Sequence, residues 1–235
     1  MTLFYGQRLT LEQPFEDDHE GHNKGYRPSI DAIFLAAAIS QGNSVLDVGC
    51  GIGTVGFCLK IRRPEIQLTG IDIQQDNIVC AQKNALKNHI EATFVQGDIK
   101  TFTFPTTFDH VISNPPFYEA HKVNLPKNRY KLLSHVLSNI TLKEWVDFCI
   151  QHSHNYVTFI HLPEKLPELL ALLNPLGAIK VFPLWTQGKA ERIIIQACKK
   201  SKADLKLLSG LTLQNKKGYT EEAEDILKHA KGMNL

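Results

Sequence analysis

The sequence of 235 residues has no long apolar segment and no large excess of charge of either sign. Its longest uninterrupted apolar run, Ala32–Ile39, has eight residues, whereas a helix that spans a bilayer needs about 20. Residues 1–13 lack the basic start, apolar core and small-residue cleavage site of a secretory signal. We therefore expect a cytoplasmic protein without a membrane span. The net charge of +2 does not by itself indicate nucleic-acid binding.

Cysteine is scarce and scattered. The five cysteines are odd in number, widely spaced and without a Cys-x-x-Cys pair. This pattern is not that of a disulfide framework or of a zinc site, and no metal is expected. The apolar fraction of 43% and the charged fraction of 21% are those of an ordinary folded domain.

Short β-branched runs alternate with helical patterns from residue 44 to residue 197. This alternation predicts an α/β fold with a mostly parallel sheet and helices on both faces. Seven strands are expected, and the last two, with no helix between them, form an antiparallel hairpin that leaves one antiparallel edge strand. The predicted strands are Ser44–Val48, Gln67–Ile73, Ala92–Gln96, Phe108–Ser113, Tyr156–His161, Ala178–Phe182 and Arg192–Ala197.

Three parts of the chain are predicted. Residues 1–40 form an N-terminal extension whose helix, Ile30–Ser40, begins after Ser29 as N-cap. Residues 41–200 form the ligand-binding core. Residues 201–235 form a C-terminal appendage that packs on the core and includes a helix starting at Thr220.

A glycine-rich turn follows the first strand of the core, with the pattern Asp-x-Gly-x-Gly-x-Gly at Asp47, Gly49, Gly51 and Gly53. Glycines permit a tight turn and the close approach of a ligand. Asp72 follows Gly51 by 21 residues at the end of the second strand, where a carboxylate can accept hydrogen bonds from ribose hydroxyls. The order of these features favours a cofactor that contains a nucleoside.

The fourth strand breaks into Asn114-Pro115-Pro116-Phe117. Prolines cannot donate to a strand ladder and fix their own φ, so the strand ends in a stiff loop. Ligands of open α/β sheets bind beyond the carboxyl ends of the strands. There the Asn114 oxygen and the Pro115 carbonyl can accept the two N–H groups of a planar amine, and Phe117 can stack on its ring.

Together these motifs resemble those of class I amino-methyltransferases that use S-adenosylmethionine (SAM) and carry an Asn-Pro-Pro-Phe motif. Gly25-Tyr26-Arg27-Pro28-Ser29-Ile30-Asp31, Lys189-Ala190-Glu191-Arg192 and Gly218-Tyr219-Thr220-Glu221 are similar to segments of the bacterial tRNA(Val) adenine-N6 methyltransferases. The resemblance implies a Rossmann-like class I methyltransferase fold, SAM as cofactor, and methylation of the N6 amine of a tRNA adenine beside the anticodon.

The resemblance also implies roles for individual residues. Residues expected to hold SAM are Asp47, Gly49, Gly51, Gly53, Asp72, Ile73, Asp98 and Ile99. Asp98 corresponds to the position that binds the adenine amino group, although an acid there can also merely cap a turn. Catalysis is expected from Asn114, Pro115, Pro116 and Phe117. Residues expected to contact the substrate are Arg27 and Asp31, as part of a lid, and Lys127, Arg129 and Lys131, which can track phosphates.

Other functions remain open at this point. The guanine N2 amine of ribosomal RNA and the glutamine N5 amide of a protein present the same planar NH₂ group, so the Asn-Pro-Pro-Phe motif does not choose among these acceptors. A dinucleotide-dependent reductase would leave Asp98 and residues 114–117 without a role. A SAM-binding module without catalysis does not explain the intact tetrapeptide.

Overall fold

The computed structural model describes residues 2–13, 29–116, 140–216 and 218–235. Five residues with predicted roles lie outside these ranges: Arg27, Phe117, Lys127, Arg129 and Lys131. Their predicted roles stay predictions.

An N-terminal hairpin precedes a core in which strands and helices alternate. The first elements are β1 (Thr2–Phe4), β2 (Leu9–Leu11) and α1 (Ile30–Ala37). The core continues with β3 (Ser44–Val48), α2 (Thr54–Arg62), β4 (Gln67–Asp72), α3 (Gln75–Lys87), β5 (Thr93–Gln96), β6 (Phe108–Ser113), α4 (Leu142–His152), β7 (Ser153–His161) and α5 (Leu166–Leu173). The last elements are β8 (Lys180–Thr186), β9 (Lys189–Cys198), β10 (Lys206–Leu207), β11 (Leu211–Asn215), β12 (Gly218–Tyr219) and α6 (Glu221–His229).

Ten strands of the described residues form one mixed sheet in the order β12-β11-β8-β9-β7-β6-β3-β4-β5, with β10 also paired to β8. Strands β3 to β7 are parallel to one another, and β9 runs antiparallel to both of its neighbours, β7 and β8. The predicted α/β class and the predicted hairpin of β8 and β9 are confirmed.

Two details of the predicted sheet were wrong. The sheet has ten strands rather than seven, and the β8–β9 hairpin is not at its edge, because β10 and β11 pair with the far side of β8. Two of the additional strands, β10 and β12, have two residues each and are too short to show the hydrophobic alternation that marks a strand in the sequence. The third, β11, does alternate buried Leu211 and Leu213 with polar residues, but it was not singled out from the sequence. Helix α1 begins after Ser29 as predicted, but it ends at Ala37 and Ser29 makes no side-chain capping bond.

The sheet has a buried apolar cluster on each face. Alternate residues of β3 point to opposite clusters, Val45 to one and Leu46 to the other, as the strand period of two requires. Helices α1, α2, α3 and α6 cover the first face, and α4 and α5 cover the second. The apolar run Ala32–Ile39 is fully enclosed there. No helix of the described ranges is long and apolar enough to cross a membrane.

A histidine of β6 bridges its neighbours inside the sheet. His110 is fully buried, with Nδ1 3.1 Å from the Gln41 carbonyl oxygen and Nε2 2.8 Å from the Thr158 hydroxyl. Burial lowers the pKa of His110 to about 4. In the unfolded chain a histidine has its ordinary pKa of about 6.5, so on acidification the unfolded chain takes up the proton first.

We therefore expect His110 to make stability depend on pH between about 6.5 and 4, with full stability above this window and progressive loss below it. Between pH 7 and pH 5 the loss should be about 2 kcal/mol. Urea unfolding of the wild type and of His110→Gln, which does not titrate, isolates this contribution. The stability advantage of the wild type should shrink by that amount at pH 5. An advantage that is equal at both pH values would contradict the assignment.

Candidate active site

The carboxyl ends of β3 to β7 meet at one edge of the sheet, here called the carboxyl edge. Gly49 follows β3, Asp72 ends β4, Asp98 follows β5 by two residues and Asn114 follows β6. The structure thus brings the glycine-rich turn, two of the predicted acids and the start of the Asn-Pro-Pro segment to one place, as expected for ligand binding by an open α/β sheet.

The glycine-rich turn is fixed to the end of β4 through its backbone. The N–H groups of Gly49 and Cys50 donate to the Ile71 carbonyl at 2.8 and 3.0 Å, and the N–H of Gly51 donates to Asp72 Oδ2 at 2.9 Å. Gly49, Gly51 and Gly53 have φ values of 72°, 54° and 89°. This left-handed conformation is the physical reason for glycine at these positions.

Asp72 connects the turn to the start of α3. Its Oδ1 accepts the Gln74 N–H at 2.9 Å and the Asn77 amide at 3.3 Å, while Oδ2 accepts the Gly51 N–H. Burial raises the pKa of Asp72 above its usual range. Because a carboxylate has about four acceptor positions, Asp72 retains capacity for a ligand hydroxyl.

A groove opens at the carboxyl edge over β4 and β5. Its wall includes five of the eight predicted cofactor residues, Gly49, Asp72, Ile73, Asp98 and Ile99, together with Ile140 and Trp145. Asp98 Oδ1 also accepts the Lys100 N–H at 2.9 Å. The acid therefore caps a turn and lines the groove at the same time.

Asp47, Gly51 and Gly53 are not part of the groove wall. Gly53 is the N-cap of α2 and packs against the Phe57 ring. Asp47 is 2% exposed, and its Oδ2 has no hydrogen-bond partner among the described residues. Burial, with a smaller contribution from Asp72, raises the pKa of Asp47 to about 7. A backbone hydrogen bond from Gly56 opposes this rise, but Oδ2 stays without a donor. A buried acceptor without a donor is costly, so a cationic or hydrogen-bond-donating ligand group near this turn would stabilise it.

Trp145 was not singled out from the sequence. Its Nε1–H donates to the Ser113 hydroxyl at 2.9 Å, and that hydroxyl donates to the Val48 carbonyl at 2.7 Å. The tryptophan thus lines the groove and ties the ends of β3 and β6 together. Its helix was predicted, but the contact crosses 32 residues of sequence and depends on how α4 packs.

Asn114 comes directly after Ser113 in the chain. Its Oδ1 is buried and lacks a hydrogen-bond partner within the described ranges. The next residue, Pro115, is buried, and Pro116 is exposed. The amide oxygen is therefore an acceptor whose partner must come from outside the described residues.

Asp31 forms an ion pair across the fold. Its Oδ2 accepts from Arg192 Nε at 2.8 Å, and the carboxylate is buried. Arg192 comes just before Ile193, which pairs with His161 at the end of β7. The ion pair therefore lies at the carboxyl edge, on the strand two places from β6, which corresponds to roughly 10 Å at the usual strand spacing.

Comparison with solved structures identifies the fold. A predicted O-methyltransferase from Agrobacterium tumefaciens superimposes with a TM-score of 0.67 over 87% of this chain and 98% of its own, at 19% sequence identity. The chain has the class I methyltransferase fold. Residues 30–133 match the family model of the methyltransferase small domain.

Two curated relatives carry more specific names. A tRNA1(Val) (adenine(37)-N6)-methyltransferase of Flavobacteriaceae bacterium (strain 3519-10) is 33% identical over 125 residues. That match spans 52% of this chain and about half, 51%, of the relative. Ribosomal RNA small subunit methyltransferase C of Pasteurella multocida is 36% identical over 76 residues, which span 32% of this chain and 23% of the relative.

The methyltransferase fold and the family match indicate SAM as the cofactor, rather than the dinucleotide that the glycine pattern left open. The site is compatible with it, because the groove offers the carboxylates of Asp72 and Asp98, and Asp47 beside the turn has one oxygen, Oδ2, without a hydrogen-bond partner among the described residues. Within the described residues no group of three or more His, Cys, Asp or Glu side chains could hold a metal ion.

Two glycines of the turn provide a matched pair of variants. A Cβ added at Gly49 would lie 2.7 Å from Trp145, whereas one added at Gly51 would meet nothing within 4 Å. Both substitutions carry the left-handed strain of about 1–2 kcal/mol. We expect Gly49→Ala to lower the free energy of unfolding by at least about 1 kcal/mol more than Gly51→Ala, because of overpacking. Chemical denaturation measures this difference, and equal losses would contradict the packing of Trp145 on the turn.

Proposed function

We propose that this protein transfers a methyl group from SAM to the exocyclic N6 amine of an adenine in tRNA, next to the anticodon of tRNA(Val), in the cytoplasm. The observation that carries the proposal is Asn114, whose buried Oδ1 has no partner among the described residues. It lies at the end of β6, one residue from the Ser113–Trp145 hydrogen bond that links this strand end to the groove.

The proposed role of Asn114 is to make the acceptor nitrogen a better nucleophile. The nitrogen of a conjugated amine is a poor nucleophile because its lone pair is delocalised into the ring. We propose that the amine donates one N–H to Asn114 Oδ1 and the other to the Pro115 carbonyl. These two hydrogen bonds favour a pyramidal nitrogen, whose lone pair is then directed at the methyl donor. Phe117 is proposed to stack on the base. Correct positioning supplies much of the rate enhancement for such a pre-activated donor.

SAM supplies an electrophilic methyl group when bound. We propose that Asp72 accepts hydrogen bonds from the ribose of SAM and that Asp98 accepts one from the adenine amino group. Asp47 is proposed to support SAM binding indirectly, through the glycine-rich turn. Ile73 and Ile99 flank the groove beside Asp72 and Asp98 and offer apolar contacts to a planar base.

One comparison and one general physical argument favour tRNA over ribosomal RNA. The matched segment covers 51% of the tRNA-modifying relative but only 23% of the ribosomal RNA methyltransferase. In addition, an anticodon loop presents purines that are already partly unstacked, which reduces the few kcal/mol that extracting a base costs.

We propose that the segment after Phe117 supplies the contacts to RNA phosphates. The lysines that follow β5, β7 and β8 each pair with a carboxylate: Lys100 with Glu144, Lys165 with Glu168 and Lys189 with Glu191, at 3.3, 3.1 and 3.3 Å. Paired lysines contribute less to a positive potential. We propose that Lys127, Arg129 and Lys131 contact RNA phosphates. We also propose that Arg27 and Asp31 lie beside the methyl acceptor.

Replacing Asn114 by alanine tests the catalytic role. Asn114→Ala should reduce the rate of methyl transfer by 10²-fold or more, on the order expected when alignment and an oriented hydrogen bond are lost. The affinity for SAM, measured by calorimetry on the same variant, should stay within severalfold because Asn114 addresses the acceptor. Near-normal turnover would refute the proposed role.

Reversing charge at Arg129 and Lys131 tests the substrate. The double variant Arg129→Glu, Lys131→Glu should raise the Michaelis constant for tRNA much more than it changes the affinity for SAM. The salt dependence of tRNA binding should lose about one logarithmic unit of slope per phosphate contact removed. Methylation of purified tRNA, ribosomal subunits and release factors should be measured side by side. Label only in ribosomal RNA would favour a guanine N2 acceptor, and label only in protein a glutamine N5 acceptor; either would overturn the tRNA assignment.

A further inference from the structure

Two asparagines, Asn84 of α3 and the C-cap residue Asn88, hold the end of strand β2 and the residue that follows it, Glu12, in place of a neighbouring strand. Asn88 accepts the Thr10 N–H and donates to the Thr10 carbonyl, both at 2.9 Å. Asn84 does the same to residue Glu12, at 2.7 and 3.1 Å. Each side-chain amide thus imitates the paired N–H and C=O groups of a strand.

The spacing of these residues explains the fit. Asn84 and Asn88 are four apart and lie on one side of the helix, where four residues rise about 6 Å. Thr10 and Glu12 are two apart and present their backbone groups on one side of the strand, where two residues rise about 6.8 Å. The helix can therefore pair with the strand end at two successive positions.

Only Asn84 also touches the cofactor turn. Its Nδ2 donates to the Ile52 carbonyl at 3.3 Å, in addition to the Glu12 carbonyl. Asn84 is 0% exposed, and its Nδ2 also lies 3.8 Å from Cys80 Sγ. Asn88 is half-buried, and its Nδ2 donates its other hydrogen bond to the Asn84 backbone carbonyl at 2.7 Å.

Ile52 lies between the two left-handed glycines, Gly51 and Gly53. The peptide group that joins Ile52 to Gly53 directly precedes α2, whose N-cap is Gly53, and its N–H donates to the Cys50 carbonyl at 2.9 Å. Asn84 holds the carbonyl of that same peptide group. Glycines allow many backbone conformations. A hydrogen bond from Asn84 that selects one of these conformations reduces the entropy that is lost when the turn becomes ordered around a ligand.

We propose that Asn84 is a positioning residue for the cofactor turn, which it fixes against Glu12, the residue that directly follows strand β2. The inference rests on the proposed function only in taking SAM as the ligand of the turn. It has a reciprocal consequence. If attachment to β2 favours the binding-competent turn, then a ligand on the turn must tighten the attachment of β2 by the same free energy.

Asn84→Ala and Asn88→Ala form a matched pair, since each removes one asparagine that pairs with β2 and only the first removes the bond to Ile52. Calorimetry with SAM should show a dissociation constant about fivefold higher in Asn84→Ala, as expected for one lost hydrogen bond. In Asn88→Ala the constant should change less than twofold. Urea unfolding of both variants checks that they are folded and comparably destabilised.

Amide hydrogen exchange provides a readout that a purely structural role would not move. In the unaltered protein, added SAM should slow exchange of the Thr10 and Glu12 amides. In Asn88→Ala it should still slow exchange at Glu12, whose bond to Asn84 remains. In Asn84→Ala it should no longer affect Thr10, although the bond of Thr10 to Asn88 is intact.

The outcomes separate this inference from the proposed function. Equal dissociation constants in the two variants, or exchange at Thr10 and Glu12 that does not respond to SAM, would overturn the role of Asn84 and leave the methyltransferase proposal standing. Failure of the unaltered protein to bind SAM would overturn both. A fivefold effect confined to Asn84→Ala, with the exchange pattern above, would establish the inference.

Discussion

The attachment of the glycine-rich turn to the end of β4 is the constraint on which the rest of the site depends. Three successive N–H groups, of Gly49, Cys50 and Gly51, find acceptors on Ile71 and Asp72. Because these bonds need a left-handed backbone, larger residues would distort the turn at Gly49 and Gly51. The same bonds fix one oxygen of Asp72 and set the wall of the groove. The position of Asp72 and the shape of the turn are therefore fixed by the same hydrogen bonds.

The polar atoms around the groove divide into two kinds. The hydroxyl of Ser113 and the indole N–H of Trp145 are satisfied within the fold, and they hold the ends of β3 and β6 at a fixed separation. Asp47 Oδ2 and Asn114 Oδ1 are buried without a partner among the described residues. Buried polar groups without partners lower the stability of the fold. One of these two atoms, Asp47 Oδ2, lies on the cofactor side of the site, and the other, Asn114 Oδ1, lies on the proposed acceptor side.

The two ends of the segment between residues 13 and 29 are both fastened to the core. On one end, Glu12 is held by Asn84, and on the other, Asp31 is held by Arg192. The first attachment reaches the cofactor turn through Ile52, and the second lies at the carboxyl edge near the end of β7. The N-terminal part of the chain is thus bound to the core at both the cofactor side, through α3, and the proposed acceptor side, through β9.

What the sequence determined by itself is local. The strands from β3 to β7, the glycine turn and the break at Asn114 were predicted because periodicity, the φ freedom of glycine and the missing N–H of proline act within a few residues of chain. The tertiary structure alone decided that β9 lies inside the sheet, that Trp145 packs on Gly49, and that Asn84 reaches Ile52. These contacts join residues 32 or more positions apart, and their energy depends on packing between elements, which no local pattern records.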